Sequence, residues 1–493
     1  MLKNALRSAG RDALTYFPVR FLPALTSLIT VPVFTRFIDP ADYGFFYLVS
    51  AATSLTTTLA TGWISPSVIR YYWPCEKEGK QDGFTATTLW LALASVGSAA
   101  IVVGLAVLAL APRLDPSLTR LVPAALGAFL ASSLVTTLQQ VQRAANRAKP
   151  YARVANTVTA LVTVVSVCLV WRVGAGSLGI LLGTLTGNAL VLPVVISRMH
   201  RDGSLSPGSV DRGLVSEYAS YGLPIMLANI SSWALVLSDR YILGALRDAA
   251  EVGLYSVTYS LGEKIMQLVV TPLVLTMGPV MVQTWEKQGQ KLAQQVQTQF
   301  TRYYLMVTLP LLLGMQAVAQ EFMAVFTGPD YRSAYHVLGI VAAGSLCYGL
   351  TQIAGTGVAL HKKSSIIMTN TMLAAGFQIG ANLLLVPRFG YAAAAWNTLA
   401  SYLLLLGVTW IRSRPYMAWH LPWTDIARIA GASGIMWVVL ALAFREATGS
   451  VWMLLGQVGV GIAVYGTLVF AVGVVRRDER QAVWEFLRRA VRR

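Results

Sequence analysis

Charged side chains are what this sequence has least of. They make up 12% of the residues, against about 25% in a soluble globular domain. With 55% hydrophobic residues and a mean hydropathy of +0.58, the composition excludes an ordinary soluble protein. Cysteine is nearly absent: Cys75, Cys168 and Cys347 lie far apart, which excludes a disulfide framework or a thiolate metal site. The four histidines, His200, His336, His361 and His420, are as scattered, so no metal cluster is visible and no cofactor is expected. The one Gly-Lys dipeptide, Gly79-Lys80, is followed by Gln81 and has no glycine five residues earlier, so ATP binding through a Walker motif is excluded. No polar stretch reaches the size of a domain, and carboxylates and histidines do not cluster. An intramembrane transferase or ligase would show one or the other, so no enzyme is expected.

Long apolar runs are what the chain has instead. A helix needs about 20 apolar residues to cross the hydrocarbon core. Such runs fall near 14–35, 44–67, 85–111, 121–141, 152–172, 177–197, 218–239, 252–283, 303–326, 334–360, 366–386, 391–411, 427–445 and 451–474. The expectation is an all-α polytopic membrane protein of about fourteen helices. Short alternating segments, which barrel strands would need, are absent. The first run follows Lys3, Arg7 and Arg11 as in a signal peptide. It continues to about Thr35 without a small-x-small cleavage site, so an uncleaved first helix is expected.

The net charge of +17 would suggest nucleic acid in a soluble chain. Here topology explains it. With the N-terminus inside, 28 of the 39 Lys and Arg residues fall in cytoplasmic segments and 9 at outer loops or helix ends. That asymmetry is the positive-inside rule. Both termini are expected in the cytoplasm, and no nucleic-acid partner.

The two halves echo each other. TRFIDPADYGFFYLVSAATSL follows the first span, and DRYILGALRDAAEVGLYSVTYSL follows the seventh. Each has an arginine at the outer helix end (Arg36, Arg240), a short loop, then acid-x-Gly with an aromatic one or two residues on (Asp42-Tyr-Gly44-Phe, Glu251-Val-Gly253-Leu-Tyr255), the glycines suited to a helix start after a tight turn. Six spans separate the echoes, so the repeat is parallel, with an axis normal to the membrane. Such duplication is typical of secondary transporters. The expected organisation is an N-terminal lobe at 1–197, a cytoplasmic Gly/Ser/Pro linker at 198–217 and a C-terminal lobe at 218–411. Two further helices at 427–474 and a basic tail at 475–493 complete it. The tail reads as an amphipathic helix on anionic lipid or as a solvated extension.

Ionisable groups inside spans are the informative exceptions, since each costs roughly 2.5–3.5 kcal/mol at helix centre. Lys264 lies near the midplane of the eighth span, too deep to snorkel. Its neighbour Glu263 points about 100° away around the helix. Both are expected to face a wet cavity or partners on other helices, with Gln267 extending the polar patch one turn on. Arg20 is shallower in the first span and either snorkels or faces the cavity. Pro18, Pro23, Pro32, Pro272 and Pro279 bend those two helices, as cavity-lining helices tolerate. Asn229 is a further polar candidate, best suited to an interhelical hydrogen bond. Asp239 and Arg240 fall at the outer mouth of the seventh span, as an interfacial anchor or, with Arg36, an outer-gate contact between lobes. GAGSLG at 174–179 fits a dinucleotide fingerprint only on paper, because it follows a helix and not a strand. Its glycines continue as Gly179, Gly183 and Gly187, a face for close helix packing.

TRFIDPADYG, YGLPIMLANISSWALVLSDRYILG, EVGLYSVTY and FTGPDYRSAYHVLGI together resemble the flippases of lipid-linked oligosaccharides. These form the polysaccharide-biosynthesis branch of the multidrug/oligosaccharidyl-lipid/polysaccharide exporter superfamily. The resemblance implies two six-helix lobes in a V around a central cleft, plus two extra helices. It implies cations from the first and eighth spans holding the substrate diphosphate, positions that Arg20 and Lys264 occupy, although a lysine stands where an arginine might be expected. The implied substrate is a polyprenyl-diphosphate-linked oligosaccharide. The implied setting is a bacterial cytoplasmic membrane, among membrane lipids and polymerase or glycosyltransferase machinery. Two alternatives stand beside it: a cation-coupled drug exporter using an acid such as Glu263, and a non-transporting subunit of a polysaccharide synthase.

Overall fold

The computed structural model describes residues 2–201, 210–444 and 448–475; the side chains of 2–18, Arg20 and Leu275 lie outside that description. Part of the expected linker (202–209) and nearly all of the expected basic tail (476–493) also fall outside it. Among the described residues the fold is helical throughout, without a strand. Its helices are α1 Leu2–Phe37, α2 Pro40–Thr61, α3 Ile64–Lys77, α4 Gln81–Leu110, α5 Pro116–Ala144, α6 Ala148–Trp171, α7 Gly176–Arg201 and α8 Arg212–Leu246. Then come α9 Ala249–Ala317, α10 Ala319–Phe326, α11 Tyr335–Ala354, α12 Thr356–Leu360, α13 Ser364–Ser413, α14 Trp423–Ala443 and α15 Val451–Ala471.

Ten spans among the described residues are long and apolar enough to cross a membrane. Two of them, the 69 residues of α9 and the 50 of α13, are each two rods. At about 1.5 Å per residue, an unbroken α9 would be roughly three times the ~30 Å core. The chain turns at Gly289 (φ 79°) and Gly390 (φ 60°), left-handed conformations that glycine adopts without a Cβ penalty. Acids start three of the other helices. Asp39 and Asp115 each precede a proline at N1 and accept first-turn N–H bonds, and Asp211 does the same for Gly213 and Leu214.

The chain forms two compact units, Met1–Val257 with Ala375–Ala394, and Thr258–Ala374 with Ala395–Arg493. In the first, Ile64, Val68, Phe84, Leu138, Val195 and Tyr218 form a buried cluster that joins α3, α4, α5, α7 and α8. The Tyr218 hydroxyl meets Thr88 Oγ1 at 2.9 Å and its carbonyl accepts from Ser67 at 3.2 Å, so the buried tyrosine leaves no polar atom unserved. The Gly183–Gly187 face of α7 packs on α6, where a Cβ on Gly183 would lie 2.1 Å from Ser166 Oγ.

The second unit is tied by polar side chains that bond backbone. Gln297 donates to the Ile353 carbonyl at 2.8 Å, and Tyr304 to that of Leu346 at 3.0 Å. Arg302, 1% exposed, donates to the Val474 carbonyl at 3.1 Å and lies 3.9 Å from Asp425. Buried Glu321 accepts from the Thr448 and Ser450 amides at 2.6 and 2.7 Å, fixing the start of α15. The last two helices are thus held by specific bonds as well as by apolar packing.

Candidate functional site

Three of the sequence candidates meet on one face of α9. Glu263 and Lys264 are half-buried and do not touch, because successive residues on a helix diverge. Gln267 joins them: its amide donates to Glu263 at 3.0 Å, and its carbonyl oxygen accepts from the Lys264 ammonium at 3.3 Å. One turn of helix therefore carries an acid, a relay and a base with no net charge. Lys264 spends one of its three donors in this chain, which leaves donors to present to an anion.

Asp239 and Arg240 have a different setting. Asp239 is fully buried and Arg240 is 4% exposed, which an anchor in the lipid headgroups would not be. The guanidinium folds back to Asp239 at 3.0 Å and donates to the Val236 carbonyl at 2.9 Å. The Tyr255 hydroxyl donates to the other oxygen of Asp239 at 2.5 Å. The pair neutralises itself inside the protein. Sequence reasoning missed Tyr255, although its place in the acid-x-Gly-aromatic echo was a signal.

The remaining candidates are Arg20, Arg36 and Asn229. Arg20 lies in α1 with its side chain outside the description. Arg36, in the last turn of α1, is exposed. Asn229 on α8 is exposed and makes no side-chain hydrogen bond among the described residues, so the interhelical bond expected for it is not found. Among the described residues, no three His, Cys, Asp or Glu side chains gather as a metal site would require.

The two echoes meet at their glycines. A Cβ on Gly44 would lie 1.7 Å from the Ala249 carbonyl oxygen, and one on Gly253 would lie 2.0 Å from that of Pro40. Neither residue has a positive φ. Close approach, not a tight turn, is therefore what requires glycine here, a correction to the sequence reading.

This arrangement of apolar rods, buried neutralised charges and a duplicated helix start belongs to a known group of membrane proteins. The sequence pattern of the family described as polysaccharide biosynthesis protein matches residues 9–285, more than half the chain. The chain belongs to that family. An uncharacterized membrane protein of Methanocaldococcus jannaschii is 20% identical over 424 residues, 82% of each chain. Among solved structures, the lipid II flippase MurJ in an inward closed conformation superposes with a TM-score of 0.75, covering 95% of this chain and 99% of MurJ at 13% identity. An outward-facing multidrug resistance MATE transporter of the MOP superfamily gives a TM-score of 0.59 over 82% of this chain and 93% of its own, at 14% identity. At these identities the superpositions establish a shared fold. This family member is an all-α polytopic membrane protein with the architecture of MurJ and the MATE transporters.

Proposed function

We propose that the protein is an alternating-access flippase that moves a polyprenyl-diphosphate-linked oligosaccharide from the inner to the outer leaflet. Its setting is a bacterial cytoplasmic membrane, with both termini cytoplasmic, and its product feeds surface polysaccharide assembly. Membership of the polysaccharide biosynthesis family carries the reading. The fold shared with a lipid flippase and the Glu263–Gln267–Lys264 chain support it.

The chemistry is electrostatic. A diphosphate cannot enter hydrocarbon unpaired, while the polyprenyl chain can stay in lipid and the sugar needs a wet path. Lys264, with Arg20 from α1, would supply the compensating cations. Lysine acts as a mobile point charge, and arginine can hold two oxygens at once. Gln267 and Glu263 keep the ammonium neutralised between cycles, which lowers the cost of its depth, and an arriving diphosphate competes for the same donors. Polymerase or glycosyltransferase machinery would supply and consume the substrate.

The test is Lys264→Ala. Polysaccharide export is expected to fall at least tenfold with unchanged membrane insertion, and Lys264→Arg is expected to retain part of it. Normal export by Lys264→Ala would overturn the site, and unimpaired surface polysaccharide in a deletion strain would overturn the function.

A further inference from the structure

The carboxylates of Asp42 and Glu251 have no part in the diphosphate site, yet they are built into the fold in the same way. Each is the third residue of its helix, α2 or α9. Each has its own amide capped by an acid three residues earlier, Asp39 at 3.0 Å and Asp248 at 2.8 Å. Each reaches a turn where a glycine holds a left-handed conformation. Asp42 accepts from the Ser177 amide at 2.9 Å, just after Gly176 (φ 56°). Glu251 accepts from the Tyr391 amide at 2.9 Å, just after Gly390 (φ 60°).

The fit is close enough to specify the residues. A Cβ on Gly176 would lie 2.6 Å from the Asp42 carboxylate, and one on Gly390 would lie 2.4 Å from that of Glu251. Ser177 Oγ donates back to the Asp42 carbonyl at 2.8 Å, and Arg247 closes on the other Glu251 oxygen at 2.8 Å. GAGSLG, dismissed as a nucleotide motif, is thus the receiving turn of the first clamp.

Both clamps act within their own repeat, α2 to α7 and α9 to α13. Charged acceptors on backbone N–H groups are strong bonds. Two residues beyond each acid lies the glycine of its own echo, Gly44 or Gly253. There the two helix starts meet backbone to backbone. Across the same seam Tyr241 donates to the Leu48 carbonyl at 3.1 Å. Rigid ends thus meet at a backbone-to-backbone seam. We infer that these elements form a latch at the ends the charge asymmetry places outside. The clamps keep each helix start rigid, and the Gly44–Gly253 seam parts and re-forms as the site opens outward and closes. The inference rests on the transporter reading for its purpose, but its test does not.

The test uses the full chain in lipid nanodiscs with Cys75, Cys168 and Cys347 replaced by serine. Spin labels at Phe37→Cys and Leu246→Cys, both exposed, sit one on each repeat beside the seam. Gly44→Ala and Gly253→Ala are each expected to deplete the short-distance population in favour of a longer one. Gly97→Ala, where a Cβ meets nothing within 4 Å, is expected to leave it unchanged. Asp42→Ala and Glu251→Ala are expected to broaden the distribution, with Glu251→Gln broadening it less. Unshifted distances in both glycine variants would overturn the latch. Should those variants fail to fold, the labelled parent is measured by itself in nanodiscs. Two resolved distances support the latch, and a single narrow distance overturns it. Export by Lys264→Ala reads the substrate assignment separately, so either idea can fail alone.

Discussion

Removing the Asp239 carboxylate should be among the most destabilising single changes in the first unit. The group is fully buried and accepts from the Arg240 amide at 2.8 Å, the Arg240 guanidinium at 3.0 Å and the Tyr255 hydroxyl at 2.5 Å. Asp239→Ala takes from the guanidinium, 4% exposed in the parent, the carboxylate it meets at 3.0 Å. Breaking a buried pair in that way costs about 3–5 kcal/mol. Tyr255→Phe deletes only the hydroxyl donor to a charged acceptor, for about 1.5–3 kcal/mol. The decisive comparison is Asp239→Ala/Arg240→Met, in which no lone charge remains. It should cost less than the sum of the single changes, by at least about 1 kcal/mol. The assay is equilibrium unfolding of the purified chain in mixed micelles, followed by tryptophan fluorescence at fixed lipid composition. If Asp239→Ala stays within about 0.5 kcal/mol of the parent, or the two single changes simply add, the pair is not the buried, coupled unit described.

Two further expectations concern packing and reactivity. Gly183→Ala pushes a Cβ to 2.1 Å from Ser166 Oγ and should cost about 1–3 kcal/mol by overpacking. Gly466→Ala on α15, where a Cβ meets nothing within 4 Å, should be neutral or slightly stabilising in the same unfolding assay, and equal losses would refute the argument. Cys75, on α3 outside the spans, has its thiol pushed up by burial and then by Glu78 and Glu217. A raised value means less thiolate at neutral pH. Alkylation of Cys75 by iodoacetamide should therefore be slower than that of a free cysteine and rise only at higher pH, with Glu217→Gln moving it partway back. A free-thiol rate in the parent would contradict this.

The clearest readings from sequence were those that depend on solvent. Apolar runs of span length must be helices in lipid, because only a helix satisfies its own backbone there. The helix class and membrane character follow from composition in that way, and the α6–α7 glycine face follows from spacing alone. The echo of Asp42-Tyr-Gly44 in Glu251-Val-Gly253 was also legible as a repeat. Its purpose was not, since nothing local distinguishes a glycine needed for a turn from one needed for close approach.

The tertiary structure decided what the scarce polar groups do. Asp239 and Arg240 look like residues at a helix mouth in one dimension, yet they are enclosed by protein and served by Tyr255, sixteen positions on. Asp42 finds Ser177 and Glu251 finds Tyr391 across 135 and 140 residues. Such partners cannot be read from the chain, because a carboxylate specifies only that donors must come and not from where. By itself the sequence determined that the chain is a helical membrane protein, a property its apolar segments settle with their solvent. Which polar atom answers which was left to the packing of distant helices, and there the structure alone decides.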